Sequence, residues 1–277
     1  MDIQYVNSHG ESLNLISDDF LLLSNNTLFN YEWQYDTFNN AYINNFRTGI
    51  KSMDIQIKVS GRDYEEFLDN LNKITDILNY DNLNDVRGKL YFNNYYMYCN
   101  ITMNTKPSKF LLRTQCVLSL TLVSDEPSWY LEQMVDIIKN DPSGTSQVKD
   151  YDYDYPVDYL RSIGTDGYFE NPFDHSTDAV ITIYGAISHP DILINDTNYK
   201  INYDLSEGDK LILNTLRKTI TLIKKNGRIQ NAFKYRDSEY YPFNKISPGH
   251  NTIYWNSSAN IEINLIYERG EPKWKKW

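Results

Sequence analysis

The chain has 277 residues, of which 41% are hydrophobic and 23% charged; it carries a formal net charge of −10 and two cysteines. That length allows two domains, each able to bury a core of its own. The charge is shared, with 10 basic against 16 acidic residues up to Ser128 and 17 against 21 beyond it, so neither half has the cationic surplus that nucleic-acid binding or an anionic membrane surface demands.

Tyrosine occurs 24 times and asparagine is abundant, which leans the chain to β-structure because tyrosine suits strands and asparagine suits turns. The longest purely apolar run, Phe20–Leu23, falls far short of the roughly 20 residues that span a bilayer, so membrane insertion is not expected. Met1–Gln4 lacks the basic start and apolar run of a signal peptide, and the expectation is synthesis and folding in the cytosol.

Two short strands, Asp2–Val6 and Ser12–Leu15, are predicted around a turn at Gly10. From Thr27 to Thr48, Phe29, Tyr31, Trp33 and Tyr35 alternate with polar residues, a strand signal with two readings: a hairpin half-buried on its own domain, or an arm that packs its aromatics on a neighbouring subunit. Met53, Ile55, Ile57 and Val59 alternate with Asp54, Gln56 and Lys58 and predict a strand with one buried face. The period then changes to 3.6, with Tyr64, Phe67, Leu68, Leu71, Ile74 and Leu78 on one helical stripe and Ser60 placed as its cap. After Arg87–Gly88, one strand carries Tyr91, Tyr95, Met97, Cys99, Ile101 and Met103, and another carries Cys116, Leu118, Leu120 and Leu122. A turn centred on Pro107–Ser108 would set Met97 against Leu118 and Cys99 against Cys116. With no further cysteine or nearby histidine, both are read as buried free thiols.

Ser124–Tyr130 is a polar break with Pro127 inside it and Trp129 and Tyr130 behind it. These two rings are too apolar for a free tether, so the break is read as a stiff inter-domain joint with the rings packed on one of the domains. The domain boundaries are 1–128, a connector at 129–148, and 149–277. Glu132–Lys139 is expected to be helical or extended. Lys149–Tyr159 alternates tyrosine with aspartate, which suits a strand, at an edge because of Pro156. Beyond Asp178, short strands recur with turn signals between them: Ala179–Tyr184, Asp191–Ile194, Asn198–Leu205, Lys210–Asn214, Thr219–Lys224, Gln230–Phe233, Gly249–Trp255 and Asn260–Arg269. That spacing predicts a β-sandwich. Asn226–Gly227 marks a hairpin turn, since both residues tolerate positive φ.

Catalytic signatures are missing. His9, His175, His189 and His250 have no ligand-like spacing, and there is no phosphate loop, dinucleotide fingerprint or nucleophile elbow. Asp152, Asp154, Asp158 and Asp166 are read as acidic loop residues rather than as a glycosidase pair or a calcium site. No cofactor or metal is expected, and the protein is not expected to be an enzyme. Trp255, Arg236 and Asn231 are the candidates for contact with a glycan, although packing in the core or on a strand surface is the favoured reading of each.

The order of parts resembles the siphophage distal tail (Dit) proteins. In the first half the resemblance rests on Phe46-Arg47-Thr48-Gly49 before a strand, then the helix, the hairpin and the proline-aromatic junction. In the second it rests on Ala179–Gly185 followed by Pro190, then Tyr199–Tyr203, Gly208, Leu211–Asn214, Lys218–Leu222, Asn226-Gly227, Phe243–Ile246, Gly249-His250-Asn251 and Pro272-Lys273-Trp274. The resemblance implies a mainly-β chain: an N-terminal β-sandwich or sheet with one packed α-helix and a hairpin arm, and a C-terminal galectin-like (jelly-roll) β-sandwich. It also implies a virion protein at the tail tip, a homo-hexameric ring between the tail tube protein and the tail-associated protein, with receptor-binding modules attached outside it. Phe29, Tyr31, Trp33, Tyr35, Met53, Ile55, Ile57 and Val59 are then the candidate ring contacts, and Pro127, Trp129 and Tyr130 the joint. The alternative is a carbohydrate-binding adsorption protein that recognises cell-wall glycans through the second half.

Overall fold

The computed structural model describes residues 2–24, 26–39, 42–107, 114–139, 165–256 and 259–274. The chain forms two compact units, Met1–Leu131 with Glu268–Trp277, and Glu132–Tyr267. The last ten residues therefore belong to the first unit, where the sequence placed all of 149–277 in the second. The tyrosine-aspartate stretch Lys149–Tyr159, with Asp152, Asp154 and Asp158, lies outside the described residues.

The first unit contains, in order, β1 (Ile3–Val6), β2 (Ser12–Asn14), β3 (Phe20–Leu22), β4 (Gln34–Phe38), β5 (Tyr42–Arg47), β6 (Lys51–Ser60), α1 (Tyr64–Leu83), β7 (Gly88–Phe92), β8 (Tyr95–Thr105), β9 (Gln115–Ser124) and the start of β10 (Trp129–Val135). Antiparallel pairing runs β2-β1-β7-β8-β10 on one side and β3-β6-β9-β8 on the other. β8 serves both: Tyr95–Cys99 pair with β7, and the strand then pairs with β9 from Asn100 onward, across an irregularity between Ile101 and Met103. Met53, Ile55, Ile57 and Val59 meet Leu122, Leu120, Leu118 and Cys116 across the β6–β9 ladder, and α1 covers this core with Phe67, Leu71, Ile74, Ile77 and Leu78.

The helix starts later than its predicted cap. Asp63, not Ser60, accepts from the Glu66 backbone N–H at 2.9 Å, and Arg62 closes an ion pair on Glu66 at 2.8 Å. A carboxylate one residue before the helix meets an orphan amide and the positive end of the dipole together. Ser60 is the last residue of β6, and its hydroxyl donates to the Asp18 carbonyl.

The long strand expected after Gly88 is two strands. Asn93 and Asn94 form a tight turn, with Asn93 at φ +52°, a conformation asparagine tolerates. The turn buries Leu90 and Phe92, while Tyr91 is only half-buried. The expected β8–β9 register also fails: Ile101 pairs with Leu122 and Asn104 with Leu120, while Cys99 sits opposite Gly88 and Cys116 opposite Val59. The pairing ends at Thr105–Ser119, so the connection is longer than a two-residue turn at Pro107–Ser108. The cysteines are not cross-strand partners; both are free and buried. Burial pushes the Cys99 thiol up to about 12 and raises that of Cys116 as well.

One buried polar knot ties helix to sheet. Asp81, fully buried on α1, accepts from the Tyr5 hydroxyl at 2.7 Å and from the Ser8 backbone N–H at 2.8 Å. Burial, followed by the bond to Asp81, raises the Tyr5 phenol far above its ordinary range, so it stays a donor. Gly88 closes the knot: a Cβ there would lie 2.2 Å from the Tyr5 hydroxyl and 2.4 Å from Asp81 Oδ2. Gly88→Ala should therefore lose about 1–3 kcal/mol of stability through overpacking, read as a lower urea midpoint with unchanged slope.

The second unit holds the rest of β10, then β11 (Ile138–Lys139), β12 (Thr165–Asn171), β13 (Asp178–Tyr184), β14 (Asp191–Ile194), β15 (Thr197–Lys200), β16 (Lys210–Asn214), β17 (Thr219–Ile223), β18 (Ile229–Asn231), β19 (Gly249–Trp255) and β20 (Ile261–Arg269), whose last residues return to the first unit. Two antiparallel sheets, β11-β12-β19-β14-β15 and β18-β17-β16-β13-β20, enclose a core that includes Ile181, Tyr199, Leu213, Leu222, Trp255 and Leu265. This is the expected β-sandwich. The connector prediction resolves to extended chain in β10 and β11. β12 was missed because Gly167 interrupts its apolar alternation, although it pairs with β19 over seven residues. β15 stops at Lys200 and not at Leu205. The β17–β18 turn uses positive φ only at Gly227 (+81°), while Asn226 accepts from the Arg228 N–H.

Candidate assembly surface

β4 and β5 pair with each other alone, with a register shift between Asp36 and Thr37. A two-stranded ribbon has no second layer to bury its side chains, which leaves its apolar residues in solvent. Tyr35 (59% exposed) stands opposite Phe46 (58%), and Phe38 (63%) opposite Tyr42 (74%), with Ile43 exposed between them. Arg47 pairs with Asp36 at 3.2 Å. Exposed apolar residues crowded on one ribbon mark a contact surface.

The predicted contacts divide on this point. Tyr31, Trp33 and Tyr35 are exposed. Phe29 is half-buried and packs on Phe92, Trp129 and Trp274, so it anchors the chain before the arm. Met53, Ile55, Ile57 and Val59 are corrected to core residues, each no more than 1% exposed: the face of β6 that reads as apolar is the one covered by the unit itself. Alternation named the arm's aromatics up to Tyr35 but stopped short of Phe38, Tyr42, Ile43 and Phe46, which its continuation along the ribbon would have included.

At the base of the arm lies an open groove of about 400 Å³ whose lining includes Tyr31, Trp33, Gln34, Lys51, Asp54 and Pro127. Its floor is braced by Thr27, which accepts from the Asp54 backbone N–H through Oγ1 at 2.9 Å, and by the Thr121 hydroxyl, which donates to Asp54 Oδ1 at 2.9 Å.

Pro127, Trp129 and Tyr130 are all buried within the first unit. Trp129 stacks on Phe29 at 5.8 Å and meets Phe92 edge-on. Tyr130 joins Tyr96 and Tyr98. The preceding turn is held as well: Arg87 reaches both Asp125 and Glu126, the Ser124 hydroxyl donates to the Tyr98 carbonyl at 2.6 Å, and Ser128 donates to Glu268 at 2.7 Å. The rings pack on the first unit, one of the two outcomes the sequence allowed.

In the second unit, Trp255 is 1% exposed and its indole N–H donates to the Ala259 carbonyl. A sugar ring cannot stack on it, so it is corrected from a glycan contact to a core residue. Arg236 and Asn231 are exposed, but each serves its own loop: Arg236 lies over the Phe233 ring and donates to the Phe233 carbonyl, and Asn231 accepts from the Phe233 N–H. Asp166 is exposed on β12. Among the described residues there is no cluster of three or more His, Cys, Asp or Glu able to hold a metal, and no helix long and apolar enough to cross a membrane.

Asp209 organises the loop before β16. It accepts from Lys224 Nζ at 2.7 Å and from the backbone N–H groups of Lys225 and Ser206. The Lys224 bond, joined by the backbone donors, lowers the Asp209 carboxyl, and the same bond raises the Lys224 ammonium. The depressed carboxyl contributes stability above its unfolded pKa, and this is lost as pH falls through the folded value. The raised lysine contributes below its unfolded pKa, and this is lost as pH rises through its folded value. Asp209→Asn should therefore flatten both ends of the stability profile, measured as urea midpoints from acid to alkaline pH.

What these surfaces offer is contact area, on a scaffold of mainly antiparallel sheets with a single packed helix among the described residues. No protein-family model and no curated protein matches the sequence. The fold, by contrast, has solved counterparts. SPP1 Dit, a paradigm of the hub adsorption apparatus of phages that infect Gram-positive bacteria, is similar at a TM-score of 0.56 and 11% identity, over 96% of this chain and 99% of that one. A chain of the phage P2 baseplate in its activated conformation with calcium is similar at 0.61 and 13%, over 98% of this chain and all of that one. A chain of the corresponding baseplate with strontium is similar at 0.60 and 12%, over 98% and 99%. The chain thus has a Dit-like fold of the kind found in phage tail hubs.

Proposed function

We propose that the protein is a structural hub of a phage tail or a tail-derived particle, located in the virion at the tail tip. It forms a homo-hexameric ring that joins the tail tube protein to the tail-associated protein and carries receptor-binding components. The supporting observation is the exposed aromatic ribbon β4–β5 on a fold that matches phage hub proteins along nearly its whole length. A ribbon of this kind is stable in water only when another surface covers it. In this reading the first unit makes the ring through the arm, the second is a galectin-like sandwich outside it, and the protein acts by assembly and not by catalysis. The test is sedimentation velocity across a concentration series, together with negative-stain images, with and without the tail-associated partner. Rings of six are the expected result; monomers or two-fold dimers under every condition would remove the proposal.

A further inference from the structure

Residues 210–236, which include β16, β17 and β18, hold eight Lys and Arg; every one of the chain's 37 acidic residues lies outside this segment. Six of the eight, Lys210, Lys218, Lys225, Arg228, Lys234 and Arg236, are exposed, and among the described residues none of the six is ion-paired. Antiparallel pairing sorts them into two groups. Lys210 faces Ile223 across the ladder, which brings it to the end where the turn carrying Lys225 and Arg228 lies. Lys218 is at the opposite end, in the β16–β17 turn, and Lys234 and Arg236 follow the end of β18. Five-residue strands separate the groups by about 17 Å. Between them the ladder offers amides and hydroxyls: Asn214 opposite Thr219, and Thr221 opposite Asn231. At the first end lies an open pocket lined by Lys225, Asn226, Arg228 and Gln230, where Asp209 is already engaged by Lys224.

We infer that this three-strand surface binds an anionic polyol-phosphate polymer of the cell wall. The inference deepens the proposed role as an adsorption hub and rests on it. Two cationic ends suit phosphodiester groups repeated along a flexible chain, and the hydroxyl and amide strip between them suits the polyol units that link the phosphates. An acidic protein partner would need apolar anchors at the centre of the contact; there the face holds Ile212 opposite Thr221, only half-buried, beside the Asn and Thr pairs, while the exposed Ile229 stands opposite Ile223 at the end that carries Lys210, Lys225 and Arg228. Counterion release from the polymer drives binding, which therefore weakens steeply with salt.

The test uses the full chain and lipid-free poly(glycerol phosphate) immobilised on a sensor. Wild type should bind at low salt and be released as salt rises. Lys225→Glu/Arg228→Glu and Lys218→Glu/Lys234→Glu should each weaken binding about tenfold or more, and the quadruple variant should abolish it, with circular dichroism and melting temperature unchanged. Absence of wild-type binding, binding undiminished in both double variants, or equal retention on uncharged dextran would overturn the inference. So would equally tight binding to duplex DNA at the same phosphate concentration, or binding confined to anionic lipid vesicles. Ring formation is scored on the same samples, so failure of the assembly reading is seen separately from failure of polymer binding.

Discussion

Trp129→Ala should destabilise the first unit by about 3–5 kcal/mol, the largest single-residue effect expected in this protein. The indole is 1% exposed and sits among Phe29 and Phe92, with Phe29 and Phe92 in turn touching Trp274. Truncation leaves a cavity that the flanking β-ladders, Tyr130↔Tyr96 among them, cannot close. The urea midpoint of the first transition should fall sharply, whereas Trp129→Phe should keep most of the stability. A loss below about 1 kcal/mol for the alanine variant would mean that the ring is not a core element of this unit.

Tyr35→Ser/Phe46→Ser should abolish assembly while leaving the melting temperature of the monomer where it was. The two rings stand opposite each other on a ribbon that covers no core, so their removal costs the isolated chain little. Buried aromatic anchors at an interface contribute about 2 kcal/mol or more each, so the pair is worth roughly a thousandfold in association. Sedimentation velocity should show monomer at concentrations where wild type forms rings. A double variant that still forms rings would place the ring contact on another surface.

The joint and the strand β6 illustrate how much of this was legible. Alternation over Met53–Val59 gave a strand with one apolar face, and the structure has that strand. Alternation does not state whether an apolar face is covered by the same chain or by another; here β9 extends the face within the sheet and α1 packs over it. At Trp255 the same ambiguity held, since a tryptophan among polar neighbours reads as a platform or as core, and here too the side chain is core. The two-residue turn at Asn93–Asn94 was hidden because tyrosines on both sides continued a plausible pattern. The net charge of −10 concealed the basic block at 210–236, because a total does not report segregation along the chain.

The sequence by itself determined the elements: the long helix α1, the two β-rich halves, the aromatic run before β6 and the strand-turn rhythm of the sandwich. Each depends on a local period or a local turn residue, which neighbours within a few positions specify. Only the tertiary structure decided the β8–β9 register, the unit on which Trp129 packs, the burial of Trp255, the exposure of the β4–β5 ribbon, and the gathering of Lys225, Arg228 and Lys210 at one end of three strands. Those depend on which distant segments pair, and a long-range pairing places or covers a side chain without leaving any mark in the residues beside it.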